Sequence, residues 1–155
     1  MKILVAILGL AMAGLAADKA VTPKVESLGV AKMDAVYRIR LDKDALLLES
    51  ILDFIKKNDI QDGVVLTAAG SLQECTVHGV GSKMRHFTEP TEINSLNGII
   101  AGGEPHLHAV LSNDKGAVGG HLEKGCRVMS HVELTLARFS GPKLERKKSE
   151  LKLAQ

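Results

Sequence analysis

Three histidines crowd one short stretch, "PHLHAVLSNDKGAVGGHL" (residues 105–122): His106, His108 and His121. If 105–111 is a strand, His106 and His108 stand two residues apart and point to the same face. "NDKG" at 113–116 carries turn chemistry, with Asn and Asp to start a turn and Gly to finish it. A two- or four-residue loop centred between Asp114 and Lys115 sets His108 directly across from His121, with Cβ atoms roughly 5 Å apart. A three-residue loop with a glycine bulge would shift that register by one. In the first register three imidazoles converge within reach of one divalent ion, zinc being the first candidate. They leave one or two coordination positions open, as catalytic rather than closed structural sites do. Water held there would be acidified toward neutral pH. The competing reading is three solvent-facing or core-satisfied histidines. Gly119 and Gly120 before His121 fit either the close approach of another backbone or a simple bulge.

Other chemistry-bearing residues are more scattered. Glu133 and His131 lie two apart on one face of the alternating segment 126–139, where Glu133 is the candidate general base or outer partner of a metal ligand. His78 and His86 flank the 79–85 stretch and read as surface residues. Arg38 and Arg40 share a strand face and could hold an anion or simply meet solvent. No Walker phosphate loop and no G-x-S-x-G nucleophile elbow is present.

Positioning these groups falls to one helix and a set of strands. "DAVYRIRL" (34–41) alternates as a half-buried strand, with Val36, Arg38 and Arg40 on one face and Tyr37, Ile39 and Leu41 on the other. Residues 41–60 then carry Leu47, Leu48, Ile51, Leu52 and Ile55 on one helical stripe. Asp42 or Asp44 is the expected cap, and Lys56 and Lys57 suit the C-terminal dipole. "DGVVLTAAGSL" and "QECTVHGVG" read as two strands, 82–90 as a loop, and "TEINSLNGIIAG" as a strand interrupted by glycine. The 126–139 segment places Val128, Ser130, Val132, Leu134 and Leu136 on one face. The tail, 141–155, is charged and reads as a frayed helix or disorder. One early helix followed by about six strands with glycine-rich turns is an α+β pattern with a mainly antiparallel sheet.

Bulk composition narrows the function classes. The chain has 155 residues, 45% hydrophobic and 25% charged, which suits one domain with an ordinary core. Aromatics are 3% with no Trp, and net charge is +2, so neither a base-stacking platform nor a strong electrostatic partner is implied. "MKILVAILGLAMAGLAAD" has the charged start, apolar core and small residues of a secretory leader over 1–17, cleaved after Ala16 or Ala17. That points to a periplasmic or secreted protein with no membrane span after cleavage. An arm over 18–33, a domain over 34–140 and the tail follow. Cys75 and Cys126 would meet an oxidising compartment and either pair or remain buried thiols.

"GSLQECTVHGV", "EINSLNGIIAGGEPHLHAVLSNDKGAVGGHLEKGCRV" and "HVELTL" together resemble the plant and prokaryote conserved (PPC) domain, over roughly 36–139. The resemblance implies an α/β sandwich-like fold, with a mostly antiparallel sheet flanked by helices, assembled as a homotrimer. It also implies that prokaryotic members carry a metal on the histidines matching His106, His108 and His121. The family's DNA-binding label comes from the AT-hook of plant members, and no R-G-R-P hook occurs here. His131 stands where the resemblance leads one to expect a small hydroxyl residue, as a fourth ligand or against a subunit neighbour. Three functions follow in order: an exported metal-binding homotrimer open to a hydrolytic or lyase step on a small-molecule ligand, a non-enzymatic assembly or binding module, and last a nucleic-acid binder.

Overall fold

A single long strand organises the molecule, and it is the one the sequence pattern splits in two. The computed structural model describes residues 25–81, 83–147 and 150–154; the leader expected at 1–17 lies outside them. In chain order the elements are β1 (Lys32–Asp42), α1 (Leu47–Lys57), β2 (Asp62–His78), β3 (Met84–Phe87), β4 (Thr91–Ala101), β5 (Glu104–Asn113), β6 (Gly116–Leu122), β7 (Arg127–Ser140), β8 (Leu144–Lys147) and β9 (Glu150–Leu153). Gly70 does not end β2 but bends it: its φ is +144°, and a Cβ there would lie 2.3 Å from the His131 carbonyl oxygen. The β2–β7 register shifts on either side of Leu72, the signature of bulges that keep the strand continuous while turning it.

All pairings are antiparallel, in the order β1-β7-β2-β4-β5-β6, with β3 also on β2. The far end of β2 pairs in addition with β6, Val77 opposite Leu122 and His78 opposite His121. Strands β2, β4, β5 and β6 therefore return on themselves, and that closure positions the site.

The mostly antiparallel sheet carries one helix among the described residues, fewer than the helices implied by the resemblance. Leu47, Ile51 and Ile55 of α1 are buried with Leu72, Val128, Val132 and Leu136 of the sheet, while Leu48 packs at the edge. Neither Asp42 nor Asp44 caps the helix, which starts after Leu46 without a side-chain cap. Asp44 instead adopts φ +67° and accepts a hydrogen bond from Gln73 Nε2 at 2.6 Å. The helix N-terminus is satisfied by backbone: Leu47 N–H donates to the Cys126 carbonyl at 2.8 Å. Glu49, in the first turn, accepts from Gly125 N–H at 2.9 Å, tying the helix to the β6–β7 turn.

Two more expectations are revised. The polar stretch read as a loop contains β3, an exposed edge strand with Thr76 opposite His86. The tail is neither a frayed helix nor disorder over its described residues: β8 and β9 form a hairpin. Cys75 and Cys126, both fully buried, are joined by a disulfide. No helix among the described residues is long and apolar enough to cross a membrane.

Candidate metal centre

Turn chemistry and pairing bring the histidines together. The β5–β6 hairpin closes with Asn113 opposite Gly116, and Asn113 Oδ1 accepts from Lys115 N–H at 2.9 Å. That register sets His108 opposite His121, the pairing expected for a loop centred between Asp114 and Lys115. His106 stands two residues before His108, on the same face.

The ligand atoms of all three lie within 4.8 Å of one another. His106 Nε2 is 3.2 Å from His108 Nε2 and 3.0 Å from His121 Nδ1. Two nitrogens bound to one ion at about 2.0–2.1 Å sit roughly 2.9 Å apart at a right angle and roughly 3.4 Å at the tetrahedral angle. The two spans from His106 Nε2 fall between these values. A neutral imidazole nitrogen carries one proton or one lone pair, so a hydrogen bond joins His106 Nε2 to only one of its neighbours. A cation at the focus would satisfy all three lone pairs, and neutral imidazole donors suit zinc and similar divalent ions.

The electrostatics favour that use. Burial, followed by the charges of Arg146, His108 and His78, holds His106 below its ordinary 6.5. Burial also lowers His121, helped by His108, His78 and His106 and opposed by Glu123. Both rings are thus kept neutral near pH 7, the form that donates to a metal.

A fourth histidine belongs here. His78 faces His121 across the β2–β6 pair, and their rings stack at 4.4 Å between centroids and 13° between planes. His121 in turn stacks on His106 at 4.7 Å. Behind this stack Glu123 Oε1 meets His78 Nδ1 at 2.5 Å. From sequence His78 reads as a surface residue, since only the non-local β2–β6 pairing brings it in. His131 lies elsewhere, on β7 opposite Asp42, with Ser130 Oγ 3.2 Å from its Nδ1. Glu133 sits opposite Arg40 and Ala69 and lines a different cleft of about 480 Å³ with Arg38 and Arg40. The histidines His78, His106 and His121 open onto a cleft of about 570 Å³, rimmed by Glu104, Glu123 and Arg146.

One glycine makes the geometry possible. A Cβ on Gly120 would lie 2.5 Å from the His78 carbonyl oxygen and 2.9 Å from its carbon, both backbone atoms. Gly119 has ordinary room beside Val110, so the close approach is specific to Gly120. Gly120→Ala should separate β6 from β2 and cost roughly 1–3 kcal/mol, several degrees in Tm. Thermal denaturation of the variant beside Gly119→Ala checks this; equal losses in the two would contradict it.

Residues 29–140 match the family model described as the Plants and Prokaryotes Conserved (PCC) domain. The chain is 32% identical over 104 residues to bifunctional protein GlmU from Synechococcus sp. (strain JA-3-3Ab), spanning 66% of this chain but about a sixth (17%) of that protein. Among solved structures, a plant- and prokaryote-conserved (PPC) protein from Pyrococcus horikoshii is similar at 27% identity and TM-score 0.66, over 82% of this chain and 95% of that one. A metal-containing protein from Archaeoglobus fulgidus shares the fold at 22% identity and TM-score 0.65, over 79% of this chain and 94% of that one.

Proposed function

The chain belongs to the Plants and Prokaryotes Conserved (PCC) domain family, and on that footing we propose that it is a metal-binding domain. In this reading His106, His108 and His121 hold one divalent ion, zinc first, with an open coordination face turned to the cleft for a small-molecule ligand. The observation that carries it is the convergence of three imidazoles, with His106 Nε2 at 3.2 and 3.0 Å from the nitrogens of the other two and all three ligand atoms within 4.8 Å. When bound, such an ion would polarise an oxygen ligand or acidify a coordinated water. The chain's own residues do the positioning: Glu123 orients the His78 ring, and His78 backs the plane of His121.

We further place the domain in an exported homotrimer. The leader pattern of 1–17 and the Cys75–Cys126 disulfide support an oxidising compartment. Exposed apolar side chains such as Leu66, Ile99 and Val110 support burial against further copies. Sedimentation should then give three chain masses for the mature protein; a monomer at micromolar concentration would contradict the assembly.

Equilibrium titration of the untagged, metal-stripped protein with Zn²⁺ tests the centre itself. At pH 7.5 one ion per chain should bind, and binding should weaken on acidification once protons compete for His106 and His121, which burial holds below their ordinary 6.5. The sign agrees with the metal-free fold. His106 and His121 have lowered folded-state pKa values, so the unfolded chain takes up their protons first. Stability is therefore intact above 6.5 and falls as pH drops below it. Binding that is absent at pH 7.5, or indifferent to pH between 7.5 and 5.5, would overturn the reading.

A further inference from the structure

The β8–β9 hairpin lies beyond the residues that match the family, yet it reaches the metal cleft. Its place on the fold is fixed. Leu144 N–H donates to the buried Asp62 carboxylate at 2.9 Å. Leu144 and Leu151 line an apolar cleft with Ile99, Ile100 and Phe139. Arg146 stands two residues beyond Leu144 and opposite Leu151, so it shares the hairpin face that meets the body of the domain. There Arg146 lines the same cleft as His78, His106 and His121.

We propose that this hairpin is a recognition element for the metal cleft, in which Arg146 and the ion together bind an oxyanion, a carboxylate or a phosphate, borne by the ligand. The proposal rests on the metal reading above. A guanidinium offers five N–H donors in a fork matched to two oxygens of such a group, and can keep an internal partner while binding one. A further oxygen of the same group would take the open coordination position. The rim carboxylates are Glu104 and Glu123, and Glu123 is engaged by His78. A divalent ion with a guanidinium outweighs them, so the cleft favours an anion.

The test uses the full-length protein loaded with Co²⁺, whose visible absorption reports changes at the ion, titrated separately with inorganic phosphate and with acetate. The wild type should respond saturably to at least one, and the stronger arm identifies the class of oxyanion. Arg146→Ala should bind Co²⁺ within about twofold of wild type but the anion at least tenfold more weakly, and Arg146→Lys should recover part of the loss. Arg146→Gln, closer in length, serves should the alanine variant fail to fold. Normal Co²⁺ binding with anion affinity indifferent to residue 146 overturns the role of the hairpin and leaves the metal centre standing. A wild-type spectrum unmoved by either anion does the same. No Co²⁺ binding at all overturns the metal reading and this proposal with it.

Discussion

If His106, His108 and His121 hold an ion as proposed, alanine at both His106 and His121 should abolish stoichiometric metal binding while leaving the domain folded. These two rings supply Nε2 and Nδ1 at 3.0 Å from each other, and His108 alone is a single exposed imidazole. Even an outer-shell change typically costs about 10–100-fold in affinity, so removing two direct ligands should exceed 100-fold. The fold survives because neither ring is part of the buried core, which is built from Leu72, Val77, Leu96, Leu111, Leu136 and their neighbours. Circular dichroism and Zn²⁺ titration of the double variant, beside His86→Ala as a histidine outside the cluster, check the result. Retained binding in the double variant, or equal loss in His86→Ala, would contradict it.

Reducing or removing the Cys75–Cys126 bridge has the largest expected effect on stability. The two cysteines are separated by 51 residues, and closing a loop of that size is worth about 4 kcal/mol in the chain-entropy account. Both side chains are fully buried, so Cys75→Ala/Cys126→Ala also gives up packing. The midpoint of urea denaturation should fall correspondingly, on adding reductant or in the double variant, and Tm should drop by on the order of 10 °C or more. The site should feel it too. Glu123 N–H donates to the Thr76 carbonyl at 3.0 Å, so the bridge fastens the same end of β2 that holds His78 against Glu123. An unchanged midpoint under reducing conditions would show that the bridge carries no stability.

What the sequence reveals of this molecule follows the range of the interactions involved. The β5–β6 register is local: "NDKG" closes the turn, and the opposition of His108 and His121 follows from it. The stripe of Leu47, Ile51 and Ile55 is equally local, as is the inward alternation of Val128, Val132, Leu134 and Leu136. His78 was not legible, because its place depends on β2 returning to pair with β6 after three intervening strands. The glycine at 70 reads as a break until the backbone of β7 is seen lying against it. Asp44 has the chemistry of a cap, but the helix N-terminus meets the Cys126 carbonyl and Asp44 turns to Gln73. The tail misleads for a different reason. Its strands are four residues each, too short to set a clear period, and Leu144, Arg146 and Leu151 acquire meaning only against Asp62 and the cleft.

X-ray absorption at the metal edge of the untagged, zinc-loaded protein tests the central claim most directly. The expected shell is three imidazole nitrogens at about 2.0–2.1 Å with one or two oxygen ligands completing it. A shell of oxygens alone, or one with a single imidazole, would contradict it.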